Sequence, residues 1–449
     1  MLASLLLPIL MQAALAEAPP QRVLRLDDAV QLARNNQPTL QQARAQTAAA
    51  EGRATQSKQL FYPQLTATAS YQRVRSASFG GRGIATTTGV GGTTTGTTVG
   101  STPTSITGST DSAGVDVFTF GGNATQLIWD FGSTYNRSRA ASRLVESFAA
   151  NEKMATRTVV QDVRRSYFTA RAQKALVVVA RESLDNFQKH LAQIQGFVQV
   201  GTRPAIDLAQ ASTDVAFARL SLISSENAYA VARAQLGRAI GQVDDVDYDV
   251  TDDELPPVDG EDFTTDRLVI KAYGARPEIV VYEKQRESFE LTAKAFRGNY
   301  GPTLSAAAGA SETGTDLGSL GPAWNIGVTA AWPLFQGWLT HGQVREAEAN
   351  ADASRAQTDG AKLQIRVDIQ QAQLGIRAAK ASQTATTEAV TNARERLRLA
   401  EGRYASGVGS PIELGDAQLA LTTAQAQAVQ ANYNLSSARA DLLAALGQR

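Results

Sequence analysis

Cysteine is absent from this 449-residue chain, and histidine occurs only twice, at His190 and His341. The first absence removes disulfides, thiolate metal sites, cysteine nucleophiles and a lipid-anchored N-terminal cysteine. The second leaves little from which to build a histidine metal centre or a catalytic triad, so no cofactor is expected. Neither sign of charge is in excess, with 43 Lys+Arg against 43 Asp+Glu. That balance argues against a nucleic-acid partner held by field alone. Aromatics make up only 6% of the residues, thin for one large globular core. Long hydrophobic runs are missing once the first sixteen residues are passed. Those sixteen, 1–16, are apolar and end in Ala14-Leu15-Ala16, a small-x-small cleavage pattern, with no basic residue before them. They read as a secretory signal peptide and are too short for a spanning helix, which takes about 20 residues. A membrane crossing by the rest of the chain requires β-strands.

What is present is a duplication. Pro38 and Pro63 reappear 239 residues later as Pro277 and Pro302, and Val30, Ala33 and Leu40 fall on Val269, Ala272 and Ile279. Further along, Ala141, Gly201, Ile206 and Leu208 fall on Ala347, Gly407, Ile412 and Leu414, each 206 residues on. Fixed periods of this kind mark repeated structural units. The first repeat is expected over 17–241 and the second over 266–449, joined by a linker at 242–265. Residues 244–266 hold 11 acidic residues and no basic one, so the linker is expected to be solvated. The extra length of the first repeat falls in segment 76–114, where 28 of 39 residues are Gly, Ser or Thr. Such a composition buries too little apolar surface to fold, which predicts an exposed loop.

Helix signals dominate. No Gly or Pro lies between Ser133 and Gln195, and Leu184, Phe187, Leu191, Ile194 and Val198 step as a heptad seam. This predicts a helix from Ser133 to Val200, about 100 Å long at 1.5 Å per residue. A second seam over 204–240, with Leu208, Ala211, Val215, Ala218 and Leu222, recurs at Leu414, Ala417, Leu421, Ala424 and Ala428. Half-length helices are expected at 26–60, 204–240, 266–298 and 411–446, and a second long one at 338–405. Its glycines Gly342, Gly360, Gly375 and Gly402 weaken that last expectation. Small seam residues let helices pack side by side into a curved wall.

Between the helices the period changes to two. Leu65, Ala67, Ala69 and Tyr71 alternate with Thr66, Thr68, Ser70 and Gln72, and Trp324, Ile326, Val328 and Ala330 alternate with Asn325, Gly327 and Thr329. Strands are expected at 63–75, 115–129, 302–312 and 322–335, each with one apolar and one polar face. Trp324 and Trp332, with Trp129 and Tyr71, are candidate membrane-interface aromatics. Eight residues of strand span about 26 Å, which suits an apolar band about 25 Å tall. Four strands cannot close a transmembrane barrel, and an open edge is not tolerated in lipid, so several chains must share the barrel.

The order helix, hairpin, very long helix, half-length helix, twice over behind a leader, resembles the TolC family of outer-membrane efflux proteins. Its carriers are Asn36-Gln37-Pro38-Thr39-Leu40, Ala275-Arg276-Pro277-Glu278-Ile279, Tyr62-Pro63-Gln64-Leu65, Leu127-Ile128-Trp129-Asp130, Val200-Gly201-Thr202-Arg203 and Pro333-Leu334-Phe335-Gln336-Gly337. The resemblance implies a mostly α fold with a small β part. It implies a homotrimer with a 12-stranded transmembrane β-barrel continued by a 12-helix α-barrel, in the outer membrane of a Gram-negative bacterium and extending into the periplasm. It further implies a passive exit duct of a tripartite efflux or type I secretion system. The partners implied are outer-membrane lipid, a periplasmic adaptor and an inner-membrane pump of the RND, ABC or MFS type.

By the same resemblance, the turns Val200 to Pro204 and Ser406 to Pro411 close the periplasmic entrance. Asp207, Glu413, Asp416, Tyr404 and Arg203 are its candidate aperture residues. Val200, Gly201, Thr202, Gly407 and Val408 are candidate adaptor contacts. Glu413 and Asp416 stand at i and i+3 on one helix face, so three copies would bring six carboxylates towards one axis and favour cations. Gly409 stands where an arginine is common in the family, and Arg203 holds the equivalent place in the first repeat. A secreted structural coiled-coil protein is the alternative, and it predicts no hairpins between the helices. An enzyme has least support, because His190 and His341 fall on Arg396 and Tyr135 in the other repeat and read as exposed helical residues.

Overall fold

The computed structural model of the chain describes residues 22–74, 114–242 and 248–448. The expected leader, and the Gly/Ser/Thr segment apart from Gly114, lie outside the described residues. The chain divides into two compact units. One comprises residues 1–43, 152–277 and 362–449, and the other 44–151 and 278–361. In chain order the elements are β1 (Arg22–Leu24), α1 (Leu26–Asn36), α2 (Pro38–Gln56), β2 (Gln64–Val74), β3 (Val115–Trp129), α3 (Ser133–Gln199), α4 (Ala205–Ile240) and β4 (Tyr248–Val250). They continue as α5 (Thr265–Ala275), α6 (Pro277–Gly298), β5 (Thr303–Gly314), β6 (Gly321–Ala331), α7 (Leu339–Ala405) and α8 (Pro411–Ala445).

Both long helices run 67 residues. The four glycines of α7 do not interrupt it, because tertiary packing outweighs about 1 kcal/mol of propensity per glycine. The helices expected at 26–60 and 266–298 each break in two, at Gln37 and Arg276. Pro38 and Pro277 supply no N–H, and each proline forces the residue before it into extended backbone, with ψ of 120° at Gln37 and 116° at Arg276. The displaced residues then act as latches. Gln37 Nε2 donates to Ala239 O at 2.9 Å, and Arg276 Nε donates to Ala445 O at 2.8 Å. Each carbonyl lies in the last turn of a half-length helix, so each latch satisfies an otherwise orphan acceptor. Gly241 and Gly447 end those helices with φ of +81° and +72°. A Cβ on Gly241 would stand 2.9 Å from Gln37 Cα, and one on Gly447 would stand 3.0 Å from Ala275 O.

The first unit also holds part of the linker. Residues 248–250 form β4, which pairs in parallel with β1, Val23 opposite Asp249 and Leu24 opposite Val250. The acidic residues that follow are strapped to basic helix faces. Lys174 Nζ meets Asp249 Oδ2 at 2.7 Å, Arg171 pairs with Asp252 and Glu254, and buried Glu261 pairs with Lys380 and Arg439. Tyr167, fully buried, donates to Thr251 O at 3.1 Å. Burial pushes the Asp249 carboxyl up, but Lys174 and Tyr229 outweigh it and hold the group below the usual carboxylate range. Burial pushes the Tyr167 phenol up to about 12. Around this point Leu24, Val30, Leu40, Val163, Phe168, Leu236 and Ile240 form a continuous core.

In the second unit, β2, β3, β5 and β6 make one antiparallel sheet in that order. Tyr71 pairs with Phe118, Leu65 with Ala124, Ala308 with Ile326 and Ala310 with Trp324. A bulge between Leu127 and Trp129 shifts the β3–β5 register by one residue. Strand β6 stops at Ala331, so Trp332 lies just beyond it rather than inside, ahead of Pro333, which cannot donate to a ladder. Two consecutive residues with positive φ turn each hairpin into its long helix. They are Phe131 and Gly132 in the first repeat, and Gly337 and Trp338 in the second.

Candidate functional site

Two regions carry the candidate residues, one in each unit. In the first unit, α3 and α7 end in the same turn. Gly201 and Gly407 both sit at φ +77°, and no neighbour lies within 4 Å of a Cβ built on either. Glycine is needed there for backbone conformation alone. Thr202 N donates to Phe197 O at 2.9 Å and Val408 N to Arg403 O at 3.1 Å, which closes both helix ends as Schellman motifs. Val200, Gly201, Thr202, Gly407 and Val408 are all exposed on these turns.

Behind the turns the side chains converge on Tyr404, which is 3% exposed. The Arg203 guanidinium lies over its ring at 4.9 Å, and the His190 ring stands edge-on at 5.1 Å. Its hydroxyl is buried and meets no hydrogen-bond partner among the described residues, and the same holds for His190 Nδ1. Burial raises the Tyr404 phenol above its ordinary value, with Arg203 opposing and Asp207 adding to the shift. Arg203 NH2 donates to Gly409 O at 3.3 Å. Gly409 explains its own identity, because a Cβ there would stand 2.8 Å from Tyr404 N. No arginine fits that position in this conformation.

Glu413 and Asp416 follow on α8, which Ser410 caps by accepting from Ile412 N at 3.2 Å. Glu413 Oε1 pairs with Arg403 Nε at 3.2 Å. Asp416 is exposed and has no ion-pair partner among the described residues. Thus Tyr404, Arg203 and Asp207 share one cluster, while Glu413 belongs to a separate pair and Asp416 faces solvent.

His190 corrects the sequence reading, being buried rather than exposed, whereas His341 is exposed beside Trp338. The signal for His190 was its place in the heptad frame, three residues after Phe187 and four before Ile194. Arg403 gave none, since its partner lies across the turn. No group of three His, Asp or Glu side chains that could hold a metal occurs among the described residues.

The second region is the four-stranded sheet. Leu65 (79% exposed), Ile326 (77%) and Trp324 (80%) stand on one face with Ala67, Tyr71, Phe118, Phe120 and Val328. Thr66, Thr68, Asn123 and Asn325 stand on the other. The Tyr71 hydroxyl donates to Asp116 Oδ1 at 2.9 Å. Trp332 Nε1 donates to Tyr300 O at 2.9 Å, and Trp129 packs edge-on against Phe131 at 6.0 Å. No described helix is long and apolar enough to cross a membrane.

A family profile described as "Outer membrane efflux protein" matches residues 29–242 and 268–448. This chain belongs to the outer membrane efflux protein family. The efflux protein is 24% identical over 328 residues to the probable outer membrane lipoprotein SilC of Salmonella typhimurium, covering 71% of this chain and 69% of that one. It is 27% identical over 346 residues to the solvent efflux pump outer membrane protein SrpC of Pseudomonas putida, covering 70% and 68%. Its fold matches the outer membrane protein VceC of Vibrio cholerae with a TM-score of 0.74 at 19% identity, covering 94% and 96%. The efflux protein is mostly helical with a small strand part.

Proposed function

We propose that three copies of this chain form a passive exit duct in the outer membrane of a Gram-negative bacterium, extending into the periplasm. The observation that carries this reading is the sheet. Both of its outer strands, β2 and β6, are unpaired on one side among the described residues, and one face carries an apolar row from Leu65 through Ala124 and Ala308 to Ile326. In lipid every backbone polar group needs a partner, so β6 of one copy must bond β2 of the next. Three times four strands gives the twelve-stranded barrel. Trp324 marks one interface of the apolar band, and Trp129 and Trp332 the other. The energy for transport comes from an inner-membrane pump, joined through an adaptor that docks on the turns at Gly201 and Gly407. The cargo passes as small molecules or polypeptides along a polar lumen lined by the Thr and Asn face.

The test is purification in detergent, a native mass measurement and reconstitution into planar bilayers. A trimer that gives discrete conductance steps is expected. A water-soluble monomer that needs no detergent would overturn the reading and favour a secreted coiled-coil protein.

A further inference from the structure

The two shifts that define the duplication align the hairpins residue for residue. Leu65 stands opposite Ala124 in the first hairpin, and their counterparts Leu304 and Ala330 stand opposite each other in the second. The seam between the hairpins, β3 against β5, therefore has a counterpart, β6 against β2. In one chain those are the two outer strands of the sheet, so the second seam lies between copies.

Under the same shifts, Ala124 opposite Ala308 becomes Ala330 opposite Ala69, and Gly122 opposite Ala310 becomes Val328 opposite Tyr71. Asn123 opposite Gly309 becomes Thr329 opposite Ser70. Apolar meets apolar on one face and polar meets polar on the other, a match that a slip by one residue would destroy.

At the foot of the seam the correspondence is more specific. Within the chain the Phe131 ring covers Gly301, where a Cβ would run into it, and Ser133 Oγ donates to Asn299 Oδ1 at 3.1 Å. The counterparts of Phe131 and Gly301 are Gly337 and Tyr62, and those of Ser133 and Asn299 are Leu339 and Leu60. Ring and glycine have changed sides, and a polar pair has become an apolar one. In the single chain Tyr62 and Leu339 are exposed, and no neighbour lies within 4 Å of a Cβ built on Gly337.

We propose that the surface formed by Leu60, Tyr62 and β2 docks onto Gly337, Leu339 and β6 of a second copy, in the register of the β3–β5 seam. Tyr62 of one copy covers Gly337 of the next, and Leu60 meets Leu339. Head-to-tail contact of this kind closes into a ring. The clasp presupposes the shared barrel proposed above and fixes its register.

The experiment uses the full-length protein in detergent, with its oligomeric state measured by native mass. The chain has no cysteine of its own, so Ala69→Cys with Ala330→Cys gives one defined pair per seam. Oxidation should turn the monomer band into a covalent dimer and trimer ladder on denaturing gels without reductant. Ala69→Cys with Val328→Cys, two residues out of register, should lose that ladder, since a disulfide needs Cα atoms within about 7 Å. The second measurement is the temperature at which the trimer dissociates. Tyr62→Gly and Gly337→Phe should each lower it. The double variant, which rebuilds the Phe131–Gly301 arrangement, should recover most of the loss. A trimer in which the matched pair links no better than the shifted one, or in which the Tyr62 and Gly337 effects simply add, overturns the proposal and leaves the shared barrel standing. A monomer by native mass overturns both.

Discussion

The two turns that end the long helices share one backbone and carry different chemistry. Gly201 and Gly407 adopt the same φ, and the same pair of backbone bonds closes each helix. Yet Val198 stands where the other repeat has buried Tyr404, buried His190 stands where it has exposed Arg396, and Arg203 stands where it has Gly409. The helix breaks at Gln37 and Arg276 behave alike, with one backbone corner and one side-chain latch but different latching groups. Duplication therefore preserved what glycine and proline dictate. The side chains between the repeats were free to diverge, because one bulky Tyr404 fills space that two equal residues would contest.

The largest way to break this comparison is Tyr404→Ala, which should cost about 3–5 kcal/mol by opening a cavity. Val198→Ala at the matching site should cost about 1 kcal/mol. Tyr404→Phe should be near neutral, since the hydroxyl has no partner to lose. Denaturant unfolding in detergent would measure all three, and equal costs at the two sites would contradict the asymmetry. Next come the glycines. Gly241→Ala and Gly447→Ala combine a left-handed backbone with a Cβ against a neighbouring backbone and should cost about 2–4 kcal/mol. Gly201→Ala and Gly407→Ala carry only the backbone penalty, about 1–2 kcal/mol.

A smaller effect distinguishes His190 by pH. Burial holds its imidazole below the ordinary value, with Asp214 pulling the other way. Below about pH 6.5 the unfolded chain takes up a proton that the folded chain resists, so stability falls as pH drops through that range. The slope should be no steeper than about 1.4 kcal/mol per pH unit, and His190→Phe should flatten it. An unchanged slope in His190→Phe would assign the pH response elsewhere. The smallest effect on stability belongs to Glu413→Ala with Asp416→Ala, within about 1 kcal/mol because the Arg403 pair is exposed. The same double variant should lose block by multivalent cations in bilayers, and intact block would remove the carboxylate ring.

Much of this architecture is written in local pattern. The absence of Gly and Pro between Ser133 and Gln195 predicts α3, and strict alternation at Leu65–Tyr71 predicts β2. What local pattern cannot carry is partnership across the chain. The acidic residue Glu261 reads as solvated until Lys380 and Arg439 are brought to it and it is buried. Gly409 looks like a simple departure until the backbone of Tyr404 is seen behind it. Pro38 and Pro277 are legible as repeat markers, but the latches that hold the breaks come from 202 and 169 residues away, Ala239 for Gln37 and Ala445 for Arg276.

The ladder between β3 and β5 sets a schedule for the nascent chain. The β2–β3 and β5–β6 ladders each join strands that follow one another in the chain, but Phe118 must wait for Gly314, 196 residues on, to leave the ribosome before it finds its opposite. Closing so long a loop is entropically slow. Until then β3 offers a bare, hungry edge to any passing strand.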